Sequence, residues 1–147
     1  MCDIDEKNYD EKKLFPSILA VDFDGTLVEN QFPGIGKPDH VIAGAVRAYK
    51  EMGWKIILWT CRTDEMLQDA VDFCKEQLGI EFDAVNDNLP EVQQYFGGNT
   101  RKVFANLYWD DRNAALFVDK DKPSSLEPMP LILHENCVLT EEVLYGV

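Results

Sequence analysis

Basic residues are scarce in this sequence of 147 residues. It contains 14 Lys and Arg against 27 Asp and Glu, which gives a formal net charge of −13 at pH 7. Because proteins bind nucleic acid by neutralising its phosphates with Lys and Arg, this balance argues against a nucleic-acid partner. A small phosphorylated substrate that arrives with a metal ion remains compatible with the charge.

Long apolar runs are also absent. No segment approaches the roughly 20 apolar residues that a membrane-spanning helix needs. The first residues, Met1 to Glu6, are acidic, whereas a signal peptide begins with basic residues and continues with apolar ones. We therefore expect a cytoplasmic protein without a membrane partner.

The residues that most often bind zinc lack the spacing of a zinc site. The sequence contains four cysteines, Cys2, Cys61, Cys74 and Cys137. They are too far apart to form a C-x-x-C zinc or redox motif, and the two histidines have no metal-ligand spacing either. We expect reduced thiols, with Cys74 in the core.

Strand-like and helix-like apolar patterns alternate along most of the chain. Strands are predicted at 17–22, 54–59, 82–85 and 103–109, and helices at 40–52, 64–78 and 90–96. Asp39 is a suitable N-cap for the first helix, and Gly53 and Gly79 are suitable ends for the first two. This alternation predicts an α/β fold with a parallel sheet covered by helices.

Length and composition predict one domain over residues 1–147. The hydrophobic content of 46% is enough for a proper core, and no repeat or linker divides the sequence. Residues 1–13 are charged and aperiodic, so we expect a loosely ordered lead-in there. Residues 119–147 give no clear pattern, and their role is left open.

Two acidic residues follow the first predicted strand, in the segment Asp22-Phe23-Asp24-Gly25-Thr26. Because strand side chains alternate, Asp22 and Asp24 are expected on the same side of the chain, with Phe23 turned toward the core. Two carboxylates this close repel each other unless a cation lies between them. Mg²⁺ prefers such a site, built from carboxylates, water and substrate phosphate.

Polar residues also follow two later predicted strands. Thr60 and Arg62 come after the second, and Asp110 and Asp111 follow the strand that ends near residue 109. Ligands of open α/β sheets bind outside the carboxyl ends of the strands. Three polar strand ends in one small domain therefore predict a shared site.

These three motifs resemble those of the haloacid dehalogenase-like (HAD) hydrolases. The first motif of that family is an apolar run followed by D-x-D-G-T, the second ends a strand in Thr or Ser, and a later one is a pair of acids. The resemblance covers roughly residues 17–117. It implies a three-layer Rossmann-like core, with helices on both faces of the sheet and no cap domain, and a Mg²⁺-dependent phosphomonoester hydrolase.

The resemblance assigns roles to the acidic residues. Asp22 is expected to be the nucleophile that forms an aspartyl-phosphate, and Asp24 the general acid and base. Mg²⁺ is expected to bind Asp22, the backbone carbonyl of Asp24, and one of Asp110 and Asp111; which of the two contacts the metal is left open.

The phosphate site is expected to include Thr60, through its hydroxyl and backbone N–H, together with Gly25 and Arg62. Lys102 matches the family's lysine by its distance from Asp110. That assignment requires the last strand to begin near Leu107 and the segment before it to lie over the site. Three other cations, Lys37, Arg62 and Arg101, are the alternatives.

Two other classes of protein were weighed against the phosphatase. A signalling receiver domain places its acid pair after the first strand and a lone acid after the third, and this chain does not. A binding or regulatory protein on the same scaffold, weak or inactive in catalysis, stays open. The segment 27–38 is expected to form a flap beside the site. The physiological substrate and the oligomeric state, including a homo-oligomer, are not determined by the sequence.

Overall fold

The computed structural model describes residues 15–114 and the backbone of two further segments, 116–118 and 126–128. The predicted lead-in at 1–13 lies outside the described residues, as does most of 119–147. Among the described residues, no helix is long and apolar enough to cross a membrane.

The chain divides into two compact units, Met1–Asp110 and Asp111–Val147. The described part of the second unit contains two short strands, β5 (Leu116–Val118) and β6 (Leu126–Pro128), which pair antiparallel. The expectation of a single domain stays a prediction.

The described part of the first unit alternates strands and helices. In chain order these are β1 (Ile18–Val21), α1 (His40–Glu51), β2 (Lys55–Leu58), α2 (Asp64–Leu78), β3 (Ala84–Val85), α3 (Pro90–Phe96) and β4 (Leu107–Trp109).

Local sequence signals fix the ends of the first two helices. The Asp39 carboxylate caps α1 by accepting from the backbone N–H groups of Val41 and Ile42, at 3.0 and 3.1 Å. Gly53 follows α1 with φ of 90°, and Gly79 ends α2 with φ of 65°. Glycine adopts this left-handed conformation without steric cost, so both helices end where the sequence predicts.

The first unit contains a four-stranded parallel sheet in the order β3-β2-β1-β4. β1 lies between β2 and β4, with Leu19 opposite Ile56 on one side and Leu107 on the other. The predicted α/β fold with a parallel sheet is therefore confirmed. Within residues 15–110 no further folded module is inserted, which is compatible with a core that lacks a cap.

Helices cover both faces of this sheet. Alternate strand residues, including Leu19 and Ile56, pack with Ala43 of α1 and Ala70 of α2. We term this side the first face. The other set of strand residues packs with α3 and forms the second face, with Ile18, Ala20, Ile57 and Val92 among its buried residues.

The strand order creates a switch point beside β1. From β1 the chain passes to β2 and β3 in one direction, and it then returns to β4 on the opposite side of β1. Ligand sites in open α/β sheets lie at the carboxyl ends of the strands where the order reverses. Here that position lies between the ends of β1 and β4.

The last strand of the sheet begins at Leu107, four residues later than predicted. Residues 103–106 are irregular, although Val103 and Ala105 are buried in the second face. Side chains replace the ladder partners of residues 103–105: Asn88 accepts from the N–H of Phe104 at 2.7 Å, and the Tyr108 hydroxyl donates to the carbonyl of Val103 at 2.6 Å. Its apolar pattern reflects burial without strand pairing.

Candidate active site and metal centre

Asp22 and Asp110 follow neighbouring strands directly. The N–H of Asp22 donates to the carbonyl of Trp109 at 2.9 Å, so β1 and β4 stay paired up to the residues that precede the two acids. Asp22 comes two residues after Ala20, and Asp110 two residues after Tyr108, and both of these residues belong to the second face. Strand alternation therefore brings the two carboxylates to the same side of the sheet edge.

Three carboxylates form a cluster at this edge. Oxygen atoms of Asp22, Asp110 and the next residue in the chain, Asp111, all lie within 4.8 Å of one another, and all three residues are half-buried. The sequence analysis placed these acids in one metal site, and the structure brings their side chains together. Grouped carboxylates in partial contact with solvent suit Mg²⁺, which binds a few protein oxygens and keeps several waters.

Asp24 has a different partner. Both of its carboxylate oxygens accept from Arg62, Oδ2 from Nε and Oδ1 from Nη2, each at 2.7 Å. The side chain of Asp24 is therefore outside the cluster of three carboxylates. This agrees with the expectation that only its backbone carbonyl contacts a metal, although that contact stays a prediction.

Arg62 is buried, with 1% of its side chain exposed. Its other hydrogen bonds go to the backbone carbonyls of Pro33 at 3.1 Å and Gly34 at 2.6 Å. Hydrogen bonding to Asp24 raises the pKa of Arg62 above its ordinary value, more than burial lowers it. The prediction that Arg62 binds phosphate is untested, but in this structure the guanidinium is committed to Asp24 and the loop.

Aromatic rings complete the surroundings of Arg62. The central guanidinium carbon lies 5.0 Å from the ring centre of Phe23 and 5.3 Å from that of Phe32. Such cation–π contacts are favourable, most of all where water is excluded. Phe23 is fully buried, whereas Phe32 is 56% exposed and belongs to the loop predicted as a flap.

That loop, residues 27–38, closes on itself at its base. The N–H of Glu29 donates to the carbonyl of Lys37 at 2.8 Å, and the N–H of Asp39 donates to the carbonyl of Leu27 at 2.9 Å. At Gly36 a Cβ atom would lie 2.0 Å from the carbonyl oxygen of Glu29, so only glycine fits there. The loop is thus held at its base, and Arg62 holds its tip.

The turn after β1 also uses glycine. Gly25 has φ of 85°, and its N–H donates to the carbonyl of Val28 at 2.7 Å. Thr26 follows, and its hydroxyl donates to Oδ2 of Asp22 at 3.5 Å. Gly25 therefore shapes the turn that carries the two acids, and its predicted contact with phosphate is untested.

Thr60 lies at the end of β2 with both of its predicted phosphate-binding groups engaged. Its backbone N–H donates to Oδ1 of Asn86 at 2.8 Å, and its hydroxyl accepts from the backbone N–H of Arg62 at 3.2 Å. The expected phosphate contact of the N–H is therefore replaced here by a bond to Asn86. The hydroxyl acts only as an acceptor in this contact, so its own proton can still be donated.

The assignment of Lys102 to the phosphate required the last strand to begin near Leu107, and β4 does begin at that residue. The preceding segment is tied to the residues that follow β3, since the Asn88 amide donates to the carbonyl of Thr100 at 3.3 Å. The ammonium group of Lys102 lies 5.3 Å from the ring centre of Tyr108. A contact of Lys102 with phosphate stays a prediction.

Asn86 and Asn88 are site residues that were not expected from the sequence. Asn86 adopts φ of 49°, and Asn88 is a buried polar residue that bonds four backbone or side-chain groups of residues 99–104. The signal was available, because the string Asn-Asp-Asn follows the third predicted strand as Thr60 follows the second. The polar residues after the third predicted strand therefore predict a fourth contribution to the same edge of the sheet.

These features define an α/β protein with an acidic site at the switch point of its parallel sheet. A solved structure described as a conserved protein from Bacteroides thetaiotaomicron matches this chain with a TM-score of 0.60 and 37% sequence identity. The match covers 67% of this chain and 78% of the other. The chain belongs to the same family as that conserved protein. No family model and no curated protein matches the sequence.

Proposed function

We propose that this protein is a Mg²⁺-dependent phosphomonoester hydrolase of the HAD type, acting through an aspartyl-phosphate on Asp22. The observation that carries the proposal is the cluster of Asp22, Asp110 and Asp111 at the switch point, with Asp24 held two residues from Asp22 by a buried arginine. The conserved relative has no stated activity, so the proposal depends on the site itself.

The residues at the switch point fit a magnesium ion. Asp22, Asp110 and Asp111 offer carboxylate oxygens within 4.8 Å of one another, the donor type that Mg²⁺ prefers. The backbone carbonyl of Asp24 is the fourth candidate ligand. When bound, Mg²⁺ would supply positive charge that neutralises phosphoryl oxygens and aligns the phosphate with the nucleophile.

Asp22 supplies the nucleophile in this proposal. One carboxylate oxygen attacks phosphorus, the ester P–O bond breaks, and the bonding electrons leave with the alcohol oxygen. Water then attacks the acyl-phosphate, which releases inorganic phosphate and restores Asp22. The Thr26 hydroxyl, 3.5 Å from Oδ2, helps to orient the carboxylate toward the substrate.

Asp24 supplies and removes protons, and Arg62 positions it. As a general acid Asp24 gives a proton to the departing alcohol oxygen, and as a general base it later takes one from water. An ion pair with both oxygens bound to Arg62 presents no proton, so acid catalysis requires this pair to open in part. Because Arg62 also binds the carbonyls of Pro33 and Gly34, movement of the loop would open the pair.

Thr60 and Lys102 are proposed to bind the phosphate. The Thr60 hydroxyl accepts from the backbone of Arg62 and can donate its own proton to a phosphoryl oxygen. Lys102 is the first candidate for the cation that neutralises the phosphate, and Lys37 and Arg101 are the alternatives.

The experiment that tests the proposal is hydrolysis of p-nitrophenyl phosphate, with Mg²⁺ and with a chelator. We expect release of nitrophenol that requires Mg²⁺ and is abolished in Asp22→Asn. The matched control is Asp72→Asn, which removes one carboxylate from the exposed side of α2 and should keep full activity. Metal-independent release, or equal release from Asp22→Asn and the parent, would refute the proposed mechanism.

The alternative of a binding protein with weak or absent turnover draws support from the Asp24–Arg62 pair. Both acid oxygens are engaged, as they would be in a scaffold that no longer moves protons. Asp24→Asn discriminates the two: a phosphatase loses steady-state turnover, whereas a binder keeps its affinity for inorganic phosphate in the presence of Mg²⁺. Phosphate binding by a parent protein that hydrolyses no ester would favour the binder.

A further inference from the structure

A cavity lies on the second face of the sheet. Its volume is about 530 Å³, and it lies between α3, which contributes Val92 and Phe96, and the irregular segment that contains Val103. None of the four acids of the candidate site lines it. Cavities of roughly 300–1,000 Å³ with mostly apolar walls are typical of small-molecule sites.

The walls of this cavity are fixed by hydrogen bonds. On one side the buried Asn88 amide donates to Asn99 at 2.9 Å and accepts from the backbone of Phe104 at 2.7 Å. On the other, the Tyr108 hydroxyl donates to the carbonyl of Val103 and accepts from the N–H of Ala105 at 3.1 Å. These bonds fix the backbone of residues 99–105, so the cavity is preformed.

One cation lines the cavity. The ammonium group of Lys102 lies 5.3 Å from the ring centre of Tyr108, which is also a wall residue. Among residues 15–114 no carboxylate forms an ion pair with Lys102, although the whole chain carries a net charge of −13. A positive charge beside aromatic walls suits a ligand that has an anionic group on an aromatic body.

We propose that this cavity binds a small aromatic monoanion, such as an aryl carboxylate or sulfonate, with its ring against Phe96, Phe104 and Tyr108 and its anionic group on Lys102. Phe96 is 52% exposed at present, and a ligand ring would cover part of it. The inference does not rest on the phosphatase proposal, because none of the four acids lines the cavity and the test measures binding without Mg²⁺ or a phosphate ester. It assigns Lys102 to this ligand and leaves the substrate phosphate to the alternative cations, Lys37 or Arg101.

The test uses two fluorescent dyes with the same aromatic body. One, 8-anilinonaphthalene-1-sulfonate, carries an anionic group; the other, N-phenyl-1-naphthylamine, does not. We expect saturable binding of both to the native protein. Lys102→Met removes the charge but keeps an apolar side chain, so it should weaken the anionic dye about tenfold and leave the neutral dye unchanged. Arg101→Met, at an exposed neighbour that does not line the cavity, is the matched control and should change neither.

A second pair of variants tests the location. Among the residues that the structure describes, no atom lies within 4 Å of a Cβ placed on Gly98, which lines the cavity, so larger residues fit there without a clash. Gly98→Phe should fill the cavity and abolish binding of both dyes, whereas Gly98→Ala should retain it. Failure of the anionic dye to bind, its equal affinity for Lys102→Met and the parent, or undiminished binding to a folded Gly98→Phe would each overturn the proposal.

Discussion

Asp22 and Asp24 stand two residues apart, yet their surroundings are opposite in charge. Asp22 lies with two further acids, Asp110 and Asp111, within 4.8 Å. Asp24 lies against a buried guanidinium that binds both of its oxygens at 2.7 Å. One carboxylate is placed where an added cation would be attracted, and the other has a cation built into the fold.

This difference supports separate chemical roles for the two acids. Where neighbouring carboxylates perform different tasks, their environments differ, and the environment decides which one acts as nucleophile and which one transfers protons. The D-x-D motif alone cannot show this difference, because the residues that create it follow other strands. Asp110 and Asp111 follow β4, and Arg62 follows β2.

The largest effect is expected from Arg62→Met, which leaves the Asp24 side chain, 16% exposed, without its partner. Removing one member of a buried ion pair leaves the other charge uncompensated, so we expect the free energy of unfolding to fall by about 3 kcal/mol. Urea unfolding measures this. The loop should loosen as well, because Arg62 also binds the carbonyls of Pro33 and Gly34.

The control for this variant is the exposed pair of Lys75 and Glu81, whose charged atoms are 2.9 Å apart and whose side chains are about two-thirds exposed. Lys75→Met should change stability very little, because solvent screens such pairs. Equal losses in Lys75→Met and Arg62→Met would show that the buried pair contributes nothing beyond an ordinary surface contact.

The second effect is thermal stabilisation by Mg²⁺ at the cluster of Asp22, Asp110 and Asp111. Mg²⁺ should raise Tm, because a ligand that binds only the folded state stabilises it by about 2.7 kcal/mol at 100 times its dissociation constant. Differential scanning fluorimetry with increasing MgCl₂ measures the shift. Asp110→Asn should reduce it strongly, since one carboxylate of the cluster is lost.

Asp24→Asn sharpens this comparison. The Asp24 side chain lies outside the cluster, so the variant should start from a lower Tm and still gain as much from Mg²⁺ as the parent. A Tm that does not respond to millimolar Mg²⁺ in the parent, or a response that Asp24→Asn abolishes and Asp110→Asn retains, would contradict the division of roles.

A smaller effect on stability is expected at Asn86. Its side chain bonds the N–H of Thr60, and the Thr60 hydroxyl in turn bonds the N–H of Arg62. Asn86→Ala removes the hydrogen bond to the Thr60 N–H. It also places alanine at φ of 49°, a left-handed conformation that asparagine tolerates better. We expect a loss of about 2 kcal/mol, roughly half from each cause. Asn86→Asp keeps an acceptor and tolerates this conformation, so it should lose much less in the same urea titration. Equal stability of the two variants would exclude this supporting role.

Much of the fold could be predicted because its signals are local. The N-cap at Asp39, the glycines after α1 and α2, and the apolar periods all act within a few residues, and the helices begin and end close to the predicted positions. The acid cluster was also predictable, because parallel strands bring their carboxyl ends to one edge.

The rest depends on contacts between distant parts of the chain. Arg62 was assigned to phosphate because sequence cannot show that it reaches Asp24, 38 residues earlier, in the interior. The start of β4 was misplaced because Val103 and Ala105 have a strand-like pattern, while their backbone groups bond the Tyr108 hydroxyl and the N–H of Phe104 between them bonds the distant Asn88. An apolar pattern predicts that residues are buried, but it does not predict which groups form hydrogen bonds with their backbone.

The smallest effect is expected from alkylation of Cys61, which precedes Arg62 and is exposed, in contrast to buried Cys74. Burial raises the pKa of the Cys74 thiol from 9.0 to about 12, so at pH 8 it stays protonated and unreactive. Iodoacetamide followed by peptide mass spectrometry should therefore find Cys61 modified and Cys74 intact in the native protein.

The same shift gives a pH dependence. In the unfolded chain the Cys74 thiol ionises from about pH 9, whereas the folded protein retains the proton, so the free energy of unfolding should fall between pH 9 and 12. Cys74→Ala should reduce that slope. Cys61 is exposed and is not part of the acid cluster, so Mg²⁺ should still raise Tm after Cys61 is labelled. Loss of the response would mean that the exposed thiol lies at the metal site, and the proposed separation of the two environments would be wrong.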